Sequence, residues 1–144
     1  MIVPDVNLLL YATNRSVPQH QRANTWLSAL LAGDEPVGMA WIVVVAFVRI
    51  SSNPRIYRAP MTVDQATEIV DRWLLNPLVS TIEPSPSHWS ILRALLHENG
   101  SAANLTNDAH LAALCIERGA TLHSADGDFS RFRGLRWHNP LRAE

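Results

Sequence analysis

Apolar residues in this chain fall into short blocks divided by turn formers, and two spacings alternate along it. "MIV" is a short strand candidate closed by Pro4-Asp5, and "VNLLLYAT" reads as a short helix. From Pro18 to Ala32 the pattern predicts a helix. Ser16 stands as its cap, Ala23, Trp26, Leu27, Leu30 and Leu31 form one stripe, and Gly33 ends it. "PVGM", 36–39, is a strand candidate. "WIVVVAFVRI", 41–50, is ambiguous: its β-branched residues favour a strand, while its length fits strand or helix. After the break at "SSNPR", Thr62 and Gln65 form a capping box for a helix with Val63, Ala66, Ile69, Val70, Trp73 and Leu74 on one face. "LVSTI", 78–82, is a strand. Ser85-Pro86 opens a helix running to about His97, with Trp89, Leu92 and Leu96 on one side, and Asn99-Gly100 ends it. Thr106 caps the next helix and Gly119 stops it. "TLHS" is a fourth strand and "LRWH" a fifth candidate.

Short strands that alternate with helices predict an α/β fold with a mostly parallel sheet, and the length of 144 residues suits a single domain, 1–144. The alternation also predicts where chemistry would sit, because ligands bind beyond the carboxyl ends of such strands. Asp5 follows the first strand, Asp126 and Asp128 follow the fourth, and Asp108 opens the helix leading into the fourth. These acids are expected to meet at one edge of the sheet.

Composition narrows the classes. At 47% apolar and 17% charged residues, the chain can bury a core. A net charge of -1 excludes a strongly basic nucleic-acid binder, though not a local basic patch. All twelve basic residues are arginine, which fits both a compositional bias and a preference for phosphate. The single cysteine, Cys115, makes no internal disulfide, as expected of a cytoplasmic protein. "MIVPD" has no basic n-region, so no signal peptide is expected. The longest apolar run, 39–48, is ten residues, against the about 20 a membrane span needs.

Each acid alone has an ordinary explanation: a helix dipole for Asp108, a turn for Asp126-Gly127-Asp128, a cap for Asp5. Gathered together they would repel one another unless a cation neutralised them. Hard oxygen donors without a Cys/His cluster favour Mg²⁺ or Mn²⁺ over zinc. The six histidines show no zinc spacing and read as structural or surface residues. There is no phosphate-cradling glycine loop and no G-x-S-x-G nucleophile elbow. An Asp-x-Asp phosphatase fails at Asn7, where its second aspartate would stand, and a phospho-receiver domain fails for want of a lysine.

"VPDVNLLLYA", "FVRISSNPRIY", "NDAHLAALCIERGATLHSADGDFSRF" and "LRWHNPL" together resemble the PIN-domain ribonucleases. More narrowly they resemble the VapC toxins of bacterial toxin–antitoxin pairs, in the same order over nearly the whole chain. The resemblance implies a PIN-like α/β/α sandwich and a Mg²⁺- or Mn²⁺-dependent endoribonuclease acting on a structured cellular RNA. It implies metal binding by Asp5, Asp108 and Asp126, with Asp128 as an accessory acid, Asn7 supporting Asp5, and Ser124 a hydroxyl beside the late acids. It implies a helix for 41–50, a homodimer, and a VapB-like antitoxin that covers the site. The sequence leaves open whether Trp73 and Leu74 bury in the core or in that dimer. One departure stands out: Ala46 occupies the position where many relatives carry a glutamate. Neither Glu83 nor Glu35 has a spacing that replaces it.

RNA needs positive groups near an acidic site. Arg131, Arg133, Arg136 and Arg142 follow the late acids, and Arg49 and Arg55 are further candidates. Phe132 and Trp137 either stack on bases or belong to the core. The rival reading is a catalytically weak or inactive PIN-like module, degraded at Ala46, that binds RNA or a protein partner.

Overall fold

The computed structural model describes residues 1–100 and 105–143. Its strands are β1 (Ile2–Pro4), β2 (Val37–Ala40), β3 (Val79–Ile82), β4 (Thr121–His123) and β5 (Arg136–His138). Its helices are α1 (Val6–Thr13), α2 (His20–Ala32), α3 (Trp41–Ser51), α4 (Val63–Leu75), α5 (His88–Glu98) and α6 (Thr106–Arg118). The strands make one all-parallel sheet in the order β3-β2-β1-β4-β5. Helices cover it in an α/β/α arrangement, as expected. From β1 the chain builds outward to β2 and β3, then returns to place β4 and β5 on the other side. The switch point therefore lies between β1 and β4, where open parallel sheets form their crevice.

β2 is buried at all four positions, as a central parallel strand covered on both faces must be. Gly38 is needed there: a Cβ would lie 2.9 Å from Met1 Sδ and 3.0 Å from Ile82 Cγ2.

The ambiguous 41–50 segment is helix. Val43, Phe47 and Ser51 are buried at four-residue spacing, while Trp41, Val45 and Arg49 are exposed at the same spacing. That is the 3.6-residue period, hidden because the exposed face is also largely apolar. Phe47 packs on Trp73 with ring centroids 4.8 Å apart, which places Trp73 in the core; Leu74 is half-buried and packs against the core. The Thr62–Gln65 capping box forms, and Gly119 ends α6 in the left-handed conformation, φ 62°.

Three helix starts differ from expectation. α2 begins at His20 with no side-chain cap; Ser16 instead donates its backbone N–H to Asn14 Oδ1 in the preceding turn. α6 begins at Thr106 itself, with Leu105 in the cap position. α5 begins at His88 rather than Ser85, because Ser85 turns to Glu117: its N–H and hydroxyl both donate to that carboxylate at 3.1 Å. His88 joins Glu117 at 3.1 Å and His110 at 2.9 Å, locking α5 to α6. This anchor turns His88 and Leu95 inward and leaves Trp89 64% exposed, against the expected apolar stripe.

Among the described residues, no helix is long and apolar enough to cross a membrane.

Candidate functional site

β1 ends where Asp5 caps α1, its Oδ1 accepting from Val6 N at 2.7 Å. Asp5 is 8% exposed, so its second oxygen needs partners. Ser124, just past β4, donates its hydroxyl to Oδ2 at 2.7 Å, and Asn7 Nδ2 donates to the same oxygen at 3.2 Å. Asn7 also bonds Ser124 Oγ at 3.1 Å and accepts from Ala125 N at 3.2 Å. Ser124 Oγ accepts the Asp126 N–H at 3.0 Å, and Asp126 Oδ1 accepts the Asp128 N–H at 2.9 Å. The Asp5 N–H is tied to His123 O at 2.9 Å. Asn7 and Ser124 thus clip the carboxyl end of β1 to that of β4 and fix the orientation of Asp5.

Asp108 lies in the first turn of α6 and faces Asp5 across a cleft of about 390 Å³. Val6, Ala46, Arg49 and Asn107 also line that cleft. Burial raises the Asp108 carboxyl from 3.8 to about 6, and the charges of Asp5, Asp126 and Asp128 add to the rise, with Arg131 opposing it. Burial also raises Asp5, against the lowering effect of its bonds from Ser124 and Val6. The four acids named from the sequence therefore stand within electrostatic reach at one edge. Asp126 is half-buried there and Asp128 is exposed.

Among the described residues, no three His, Cys, Asp or Glu side chains converge closely enough to hold a metal ion by themselves. The donor chemistry still suits a hard cation that keeps water in several positions. Ala46 does face the acids. Glu83 accepts from Trp41 Nε1 at 2.8 Å, and Glu35 lies 3.6 Å from the amino terminus at the opposite end of the sheet, so neither lines the cleft.

The basic candidates separate by position. Arg131 is 3.8 Å from Asp128, at the acid edge. Arg133 is exposed. Arg136 begins β5, at the end of the strand away from the acids, and donates to Gly119 O at 3.4 Å. Phe132 is 3% exposed and packs on Phe129, so it is a core residue and does not stack on bases. Trp137 is half-buried, donates to Ser124 O at 3.1 Å, and has Arg142 over its ring at 5.6 Å. It supports the Ser124 turn. Arg49, given less weight from the sequence, is the arginine that lines the cleft, and Asn107 is a lining residue the sequence did not single out. The signal for Arg49 lay in its helical face: Ile42, Ala46, Arg49 and Ile50 follow one stripe of α3, and all line the cleft.

The PIN-domain family model matches residues 2–135. This chain belongs to the PIN-domain family. Its similarity to the VapC branch is close. It is 41% identical over 142 residues to Ribonuclease VapC33 of Mycobacterium tuberculosis, covering 99% of both chains. It is 40% identical over 140 residues to Ribonuclease VapC37 of the same species, covering 97% of both. Among solved structures, VapBC2 from Rickettsia felis, bound to a DNA fragment from its promoter, aligns with a TM-score of 0.68 at 20% identity, covering 96% of this chain and 98% of that one. VapC20 of Mycobacterium tuberculosis, described as a sarcin-ricin-loop-cleaving toxin, aligns with a TM-score of 0.64 at 18% identity, covering 94% of this chain and 99% of that one. These likenesses establish the PIN fold.

Proposed function

We propose that this PIN-domain protein is the ribonuclease toxin of a VapBC-type toxin–antitoxin pair, and that it hydrolyses phosphodiester bonds of a structured cellular RNA with Mg²⁺ or Mn²⁺. The observation that carries the reading is the meeting of Asp5, Asp108, Asp126 and Asp128, far apart in sequence, at the β1/β4 switch point. Asp108 is pushed to about 6 partly by the other three, an arrangement that a cation relieves. The names of the VapC relatives support RNA as substrate.

Asp5, Asp108 and Asp126 would hold the ion, with Asp128 acting through water. When bound, a divalent ion polarises a phosphoryl oxygen and activates water. The chain's own contribution is orientation. Asn7 and Ser124 hold the Asp5 carboxylate in one rotamer, and Asp126 is held by the turn that Ser124 closes. Arg49, in the cleft wall, meets a backbone phosphate, and Arg131 at the rim is a second contact. A VapB-like antitoxin would cover this cleft, a partner supported by the VapBC assemblies among the structural neighbours. The exposed apolar residues Trp41, Val45 and Leu75 are candidates for protein contact, with the antitoxin or in a homodimer.

The rival, a weak or inactive binding module, draws on Ala46 and on the absence of three convergent ligands among the described residues. The two readings separate by mutation. Asp5→Ala and Asp108→Ala should each abolish metal-dependent RNA cleavage with the fold intact by circular dichroism. Full activity in both variants would refute the site.

A further inference from the structure

α1 and α3 frame a second cavity at their C-terminal ends, next to the acid cleft. It measures about 210 Å³, and Leu10, Asn14, Arg15, Ser51, Tyr57 and Met61 are among its walls. That is below the roughly 300–1,000 Å³ of sites for drug-sized ligands, so it suits a fragment about the size of one ring system. The two hollows are neighbours along α1 and α3. Val6 lines the acid cleft and Leu10, one turn on, lines this cavity; Arg49 and Ile50 line the cleft and Ser51 the cavity. Along α1 that step is about 6 Å, a short reach along a single strand.

Ser51 carries the argument. It is 4% exposed, and its Oγ is the buried side-chain polar atom that lacks a hydrogen-bond partner among the described residues. A serine late in a helix ordinarily bonds back to a carbonyl one turn earlier, as Ser52 does to Val48 O at 2.6 Å. Ser51 forgoes this, and a buried orphan hydroxyl costs stability unless something supplies a partner. The remaining walls add an aromatic ring, an amide and a guanidinium, and no carboxylate. A flat polar ring on an anionic backbone matches that set: the ring's edge offers donors and acceptors, its face meets tyrosine, and its phosphate meets arginine.

We propose that this cavity is a nucleobase subsite. It takes one unstacked base of a single-stranded RNA segment whose scissile phosphate lies at the acid edge. Ser51 Oγ bonds the base edge, Tyr57 packs on its face and Arg15 meets the backbone. The identity of the strand rests on the nuclease reading above.

The test is equilibrium binding of fluorescein-labelled RNA pentamers, one set for each base at each position, in chelator so that no strand is cut. The wild type should prefer one base at one position. Tyr57→Ala should weaken that pentamer roughly tenfold. Ser51→Ala should flatten the base preference while melting at or above the wild-type temperature, because it removes an unsatisfied buried group. A merely structural Ser51 would not move base preference. Equal binding of all pentamers by the wild type, or unchanged preference in both variants, would overturn the subsite and leave the cavity to a protein side chain. Base preference without metal-dependent cleavage would instead sink the nuclease reading and keep the subsite.

Discussion

Replacing Asp108 by asparagine should make the metal-free protein more stable at neutral pH while abolishing the proposed metal-dependent cleavage. Burial and the facing acids move its carboxyl from 3.8 to about 6. At about 1.4 kcal/mol per pKa unit, that displacement corresponds to about 3 kcal/mol before screening. Asp108 is half-exposed, so solvent removes much of this. It is also the third residue of α6, where the helix dipole favours a negative charge by about 0.3–1 kcal/mol. A net cost of about 1 kcal/mol for the ionised form remains. The folded-state pKa is raised, so the folded protein binds this proton more tightly than the unfolded chain does. The penalty is absent below about pH 4 and fully present above about pH 6. Asp108→Asn should therefore raise the melting temperature by about 2–4 °C at pH 7.5 in chelator, and by little at pH 4. Added Mn²⁺ should stabilise the wild type more than the variant. Thermal unfolding at both pH values reads all of this. A variant that melts below wild type at pH 7.5, or a difference that does not change with pH, would refute the reasoning.

Ala46→Glu adds a carboxylate to the cleft and should tighten Mn²⁺ binding by calorimetry; unchanged affinity would mean that position 46 does not reach the acids. Asn7→Ala takes a donor from Asp5 and an acceptor from Ala125 N. It should lower metal affinity or cleavage about 10–100-fold with the fold retained, and wild-type values would remove Asn7 from the supporting role. Burial pushes the Cys115 thiol up to about 12, so native protein at pH 8 should resist iodoacetamide until denatured. Rapid labelling of the native state would contradict its placement in the core.

The alternation of elements was legible largely because α2, α4, α5 and α6 each carry a polar face, whereas α1 and α3 are apolar nearly all round. α3 escaped the periodicity because Trp41 and Val45 are exposed apolar residues on its outer side. Its helical state followed only from the family resemblance. Helix starts were least legible at α2, α5 and α6; at α2 and α5 a turn or tertiary bond engages the nearest capping residue. For α5 the deciding partner, Glu117, is 29 residues beyond His88. At the acid edge, the order of strands and acids carried the prediction, since chain topology places element ends. Of the neighbouring arginines and aromatics, Arg131 stays at the acid edge while Arg136 and Phe132 do not, because sequence proximity to the acids is not proximity in space. Arg136 is at the far end of β5 and Phe132 points into the core, whereas Arg49 reaches the cleft from another element.

The measurement that bears most directly on the central claim is cleavage of total cellular RNA by the purified, antitoxin-free protein, with Mn²⁺ or Mg²⁺ and with chelator. The account predicts a small set of discrete fragments that require the metal, disappear with Asp108→Ala, and mark the target by their ends. Intact RNA in the presence of metal and folded protein, or fragments that persist in chelator, would contradict it.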